Sequence, residues 1–189
     1  MAAYLLAGPA AEPWSVAELK AFLRVSHDDD DAVIASLLAA ARAQIEALTR
    51  CALINQRWRI ALDRWPADGR LRLRIGPLRE LIAARFIDER GFDHALDVES
   101  FVIDSAAGVI AAPAWSVPEP GPDHAGLQLD VVLGFGATAA DVPELLRHAV
   151  RTLVAHWYEN RGLAAIGSSV AMLPGSVAAM IASYRTVSL

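Results

Sequence analysis

The sequence predicts an α+β fold: a helical core of about four helices with an antiparallel β insertion in the middle of the chain. Three observations predict it. Apolar residues recur at helical spacing towards both ends, they alternate with polar residues through much of 54–136, and turn-forming clusters divide the alternating runs. At 189 residues and 54% hydrophobic side chains, the chain is large enough for one packed domain. The expected organisation is a flexible N-terminal arm over 1–14, a single domain over 15–185 and a short tail over 186–189. Within the domain, helices in 15–51 and 141–184 flank the β insertion.

The opening "MAAYLLAGPAAEPW" has no basic leader and too short an apolar run to span a bilayer, so it reads as a loose arm, and no membrane contact is expected. Ser15 followed by Glu18 is a capping box, opening a short helix to about Arg24. Asp28, Asp29, Asp30 and Asp31 place negative charge at the start of a second helix. Its apolar row is Ile34, Leu38, Ala41, Ile45 and Leu48, widened by Val33 and Leu37, and it ends near Arg50.

The period then changes to two. In "QRWRIAL" Trp58, Ile60 and Leu62 alternate with Arg57 and Arg59; in "RLRLRI" Leu71, Leu73 and Ile75 alternate with Arg70, Arg72 and Arg74. The turn chemistry of "DRWPADG" between them predicts a hairpin. "ELIAARFID", "ESFVID", "GVIAA" and "LQLDVVLGFG" read as further strands, separated by "ERGFDHALD", "SAAG" and a Pro-rich loop. Helical spacing returns with Asp141 and Glu144 as a second capping box and Pro143 in the first turn. Leu146, Val150, Leu153 and Trp157 line one face of a helix closing near Gly162, and Ser176 opens a last short helix.

Several chemistries lack the residues they need. The lone Cys51 has no disulfide partner and suits a reducing compartment. His148 and His156 lie two turns apart, where paired zinc ligands need about one; His156 and Glu159 have that spacing but no third ligand. "GSSVAM" is not a nucleophile elbow, and Ser168 and Ser169 have no identifiable base. "GFGATA" lacks the βαβ context of a dinucleotide turn, and the aspartate run lacks the alternating ligands of a calcium loop. No catalytic residue, metal or cofactor is therefore expected. A net charge of −5 argues against a surface that coats nucleic acid.

Two sets of side chains stand out as contact candidates. The stripe Arg57, Arg59, Arg70, Arg72 and Arg74 would project from one side of the hairpin, to track DNA, meet a neighbour's acids, or remain a solvated outer face. In "HWYENR" Trp157 continues the core row, while Tyr158, Glu159 and Arg161 turn to other faces and suit an interface.

The succession "IGPLRELIAARFIDERG", "ESFVIDSAAGVI", "LDVVLGFGATAADVPELLRHAVRTLVAHWYENRG" and "MLPGSVAAMIASYR" resembles the head-tail connector, or adaptor, family of long-tailed bacteriophages and phage-derived gene transfer agents, over about residues 14–185. The resemblance implies a non-enzymatic protein that forms a ring, commonly a dodecamer, under the portal. Such a ring extends the DNA channel and meets a stopper or tail-completion protein on its other side. It also implies assembly in the cytoplasm of the producing bacterium, followed by residence at the head-tail junction of the particle. The C-terminal segment commonly engages the portal, which here places Tyr184, Arg185 and Leu189 among the interface candidates. With four residues after Arg185, a deep insertion into the portal is not expected. The competing reading is a nucleic-acid-binding module built on the arginine hairpin.

Overall fold

In the computed structural model, which describes residues 1–121, 123–160 and 173–185, the helical and alternating runs sort into two units. A β unit comprises Met1–Ala10 and Asn55–Phe135, and a helical unit comprises Ala11–Ile54 and Gly136–Leu189. The fold is mixed α+β, with the strands of 56–133 between helical segments.

In the helical unit, α1 (Val16–Leu23) opens on the expected capping box. The Glu18 N–H donates to the Ser15 hydroxyl at 3.2 Å, and the Glu18 carboxylate accepts the Ser15 N–H at 2.7 Å. α2 (Asp31–Thr49) buries Ile34, Leu38, Ala41 and Ile45 of the row its spacing foretells, while Leu48 and Leu37 are half-buried and Val33 is exposed, so the stripe is narrower than expected. At its end the buried Thr49 donates its hydroxyl to the Ile45 carbonyl at 2.8 Å and accepts the Cys51 N–H at 3.2 Å. α3 (Glu144–Glu159) buries Leu146, Ala149, Val150, Leu153 and Val154, and packs against α2. Leu146 and Leu153 are both fully buried, worth about 1.5–3 kcal/mol each. α4 (Gly175–Ile181) packs on α3 through Val177 and Ile181. By length and composition α2 could cross a membrane, but its Arg42 is ion-paired with Glu46 and Glu12 and its apolar row is packed in this unit.

Two features of the helix starts differ from expectation. Asp141 does not cap α3; its carboxylate accepts the Thr138 N–H at 2.9 Å and the Thr138 hydroxyl at 2.8 Å, closing a short 3-10 turn. Pro143 is the reason: it holds extended backbone (ψ 130), so the helix begins only at Glu144. In the aspartate run, Lys20 pairs with Asp28 and, at 2.7 Å, with Asp31, so part of that charge answers a cation as well as the helix terminus.

The β unit holds two antiparallel sheets. The larger has the order β1 (Ala2–Ala7), β2 (Gln56–Leu62), β8 (Leu127–Leu133), β4 (Leu78–Ile87), β5 (Asp93–Leu96). The smaller has the order β3 (Arg70–Arg72), β7 (Val109–Ala111), β6 (Val102–Asp104). Across β2 and β8 the register sets Trp58 opposite Val131, Ile60 opposite Leu129 and Leu62 opposite Leu127, so the alternation in "QRWRIAL" becomes one apolar face.

Three expectations are corrected here. The arm is not loose over its first residues: 2–7 form β1, paired with β2 from Ala2 opposite Ala61 to Ala7 opposite Arg57. "ERGFDHALD" is not only a separator, since β5 lies within it and pairs with β4. The arginine hairpin does not form. β2 has β1 and β8 on its two edges, which leaves no edge for β3. The intervening turn instead delivers β3 to β7: Gly69, at φ +71, donates its N–H to the Pro66 carbonyl, and its own carbonyl accepts the Ala112 N–H, both at 2.9 Å. Trp65 pins the turn, donating Nε1–H to the Ala112 carbonyl at 3.1 Å and meeting Phe101 edge-on at 5.5 Å.

Candidate assembly surfaces

The register of the larger sheet decides what the arginines can reach. Arg59 on β2 lies directly opposite Asp130 on β8. Its Nε and terminal nitrogen donate to the two carboxylate oxygens at 2.7 and 2.9 Å, a bidentate pair. Arg85 on β4 approaches the same carboxylate at 3.6 Å and donates Nε–H to Gln128 at 3.0 Å. Asp130 is only 7% exposed, and the Arg59 guanidinium holds its carboxyl below the usual range. Arg59 is therefore engaged inside its own sheet. Arg57 is exposed on that sheet, whereas Arg70, Arg72 and Arg74 are exposed along a different segment, around β3. The five residues are thus not carried by the two strands of one hairpin: Arg57 and Arg59 are on β2 of the larger sheet, and Arg70 and Arg72 are on β3 of the smaller, with Arg74 just after it.

At the end of α3 the candidates also separate. Trp157 is half-buried, not the fully buried core residue that its place in the apolar row suggests. The Tyr158 hydroxyl donates to Asp30, at the start of α2; its tip is tied within the helical unit rather than presented freely. Glu159 is exposed. After α4, Tyr184 is half-buried with its carbonyl 3.9 Å from the Cys51 thiol, and Arg185 is exposed. Arg161 and Leu189 lie outside the described residues. Burial pushes the Cys51 thiol up, away from the thiolate form.

Sequence reasoning missed the anchoring of the N-terminal segment to α3. Trp14 donates Nε1–H to the Arg147 carbonyl at 2.8 Å, and the guanidinium of Arg147 lies 4.0 Å above its ring. Arg151 sits 5.0 Å from the same ring and 5.1 Å from that of Phe22, while its Nε–H donates to His148 Nδ1 at 2.8 Å. Arg147 in turn donates to the Pro13 carbonyl at 3.2 Å and pairs with Glu144 at 2.9 Å. The signal available was a tryptophan just before a capping box, together with arginines at i and i+4 on a later helix. Among the described residues, no group of three or more His, Cys, Asp and Glu side chains is placed to hold a metal ion.

This arrangement contains packing, caps and ion pairs, and comparison with known proteins identifies its kind. The profile of the family described as "Phage gp6-like head-tail connector protein" matches residues 14–67. Over the whole length, the chain is 30% identical to a chain in a structure of the neck of an empty gene transfer agent particle computed with C6 symmetry. That match covers 100% of this chain and 97% of the other, with a TM-score of 0.82. The chain belongs to the phage head-tail connector family. Two further structures match the connector with the same identity and coverage: the virion of a native gene transfer agent particle, at a TM-score of 0.80, and the neck of a native particle computed with C12 symmetry, at 0.79. No curated protein sequence matches it. The connector's family and its structural neighbours are structural components of virions, and its role is that of a structural connector.

Proposed function

We propose that this connector assembles as a closed ring of identical copies, commonly twelve, beneath the portal of a phage or gene transfer agent particle. The ring extends the channel through which DNA passes and offers its other side to a stopper or tail-completion protein. The observation that carries the reading is the match of the whole chain, at 30% identity, to a chain in particle necks computed with C6 and C12 symmetry. A closed ring needs two different complementary flanks on each copy, since the contact is head-to-tail. Glu159, Tyr184 and Arg185 are the candidates for such contacts, with Arg161 and Leu189 beside them in sequence. Tyr158 contributes its ring face, its hydroxyl being held by Asp30. The net charge of −5 suits a channel that lets DNA pass without gripping it. The connector is assembled in the cytoplasm of the producing bacterium and then resides at the head-tail junction. The test is to mix purified chain with portal rings and sediment the mixture. A co-sedimenting complex with several copies per portal is expected; failure to associate under assembly conditions would overturn the reading.

A further inference from the structure

Exposed sheet edges invite pairing with other chains, and proteins ordinarily blunt them with charge, proline or a bulge. Among the described residues the β unit has four edge strands, and three are guarded. β5 carries the exposed Asp93 and His94, β3 the exposed Arg70 and Arg72, and β6, only three residues long, sets the exposed Asp104 beside exposed Val102 and Ile103. β1 is different. Its sequence "AAYLLA" holds no charge and no proline, and Tyr4, Leu5 and Leu6 are 53%, 52% and 43% exposed. Tyr4 lies opposite Arg59 and Leu5 opposite Trp58, so the strand presents apolar surface on both faces of the sheet. Its one guard is the bulge between Leu5 and Ala7.

We infer that the free edge of β1 pairs with a second copy of this chain, as one contact between adjacent copies of the ring; this rests on the ring reading above. Around the symmetry axes of the matching necks, every copy of a ring protein meets its own kind on both flanks, and a head-to-tail contact repeats once per copy. An uncharged edge has nothing with which to select a charged partner. Elsewhere the same chain exposes apolar side chains of the matching kind: Phe92 at 62%, Val102 at 69% and Trp115 at 89%. Size sets the strength. A six-residue edge is about 20 Å long and covers roughly 200–400 Å² per partner, against about 800 Å² for a stable interface. The contact is too small to hold two free chains and closes only where copies already stand side by side.

The test places the photo-crosslinking residue p-benzoylphenylalanine at Tyr4, in a chain that complements a producing strain lacking it. Irradiating purified particles is expected to give a covalent dimer of this 20.2 kDa chain. Crosslinking to another virion protein instead, or no crosslink in particles that contain the chain, overturns the inference. Independently, a Leu5→Lys, Leu6→Lys variant that melts like the wild-type monomer should enter particles at least tenfold less than wild type, while the exposed control Glu99→Lys enters normally. Equal incorporation of the lysine pair overturns the inference and leaves the ring reading intact. Absence of the wild-type chain from purified particles overturns the ring reading itself.

Discussion

Replacing Asp130 with Ala tests whether the centre of the larger sheet depends on one carboxylate. Asp130 is 7% exposed, receives Arg59 at 2.7 and 2.9 Å, and has Arg85 at 3.6 Å. Its removal leaves two guanidinium groups side by side. Breaking a buried pair costs about 3–5 kcal/mol, but the Arg59 side chain is 31% exposed and can partly rehydrate, which reduces the expected loss to about 2–3 kcal/mol. For a chain of this length that is a fall in Tm of roughly 5–10 °C. Urea unfolding at pH 7 measures it. The sign of the pH dependence is also determined. The folded Asp130 carboxyl titrates below its unfolded value, so its contribution is present above about pH 4 and is lost as pH falls through the folded value. The gap between wild type and Asp130→Ala should therefore be full at pH 7 and shrink in stronger acid. An Arg59→Met, Arg85→Met, Asp130→Leu triple variant, which takes out both cations along with the carboxylate, should recover most of the loss, since well-packed apolar groups replace such clusters at little cost. A loss below about 0.5 kcal/mol at pH 7, the range of an exposed ion pair, would refute the reasoning.

Trp14→Leu removes the hydrogen bond to Arg147 and the ring beneath two guanidinium groups, so a loss of about 2 kcal/mol is expected by denaturant unfolding. Gly136→Ala would place its Cβ 2.3 Å from the Asp141 side chain and dislodge the Thr138 cap; a lower melting temperature is expected, and no change would contradict it. Ser15→Ala should cost about 1 kcal/mol through the lost α1 cap, read by the same unfolding assay. Changing Arg70, Arg72 and Arg74 together to Ala tests the competing reading, since all three are exposed: a module that binds DNA through them should lose about 3 from its salt slope in titrations at several salt concentrations, and an unaltered slope would remove them as DNA contacts.

The helices were legible because a period of 3.6 survives burial. Ile34, Leu38, Ala41 and Ile45 face the core as their spacing predicts, and so do Leu146, Val150 and Leu153. Trp157, next in that row, is only half-buried. Alternation located most strands, yet it is silent on pairing. "QRWRIAL" and "RLRLRI" look like hairpin partners because they are adjacent in sequence, but the edge of β2 is filled by a strand from the extreme N-terminus. β1 escaped notice because six uncharged residues without alternation read as easily as a tail; the Gly8-Pro9 stop after them was the available hint. The Arg59–Asp130 pair was invisible for the same reason, since 71 residues separate its members and only the register brings them together. Of the assembly candidates, the sequence could name exposed and aromatic residues near the end of α3, but not that Asp30 holds the Tyr158 hydroxyl.

The passage of the chain between its units bears on synthesis. Residues 1–10 belong with 55–135, and 11–54 with 136–189, so each unit's first piece leaves the ribosome well before its complement. β1 has no strand to join until β2 emerges at Gln56, and α2, with only α1 against it, lacks its main packing partner until α3 starts at Glu144. Neither half can mature while the nascent chain is short. A ribosome stalled near residue 100 would hold two unfinished pieces, each with greasy surface open to chaperones or to neighbouring polypeptides.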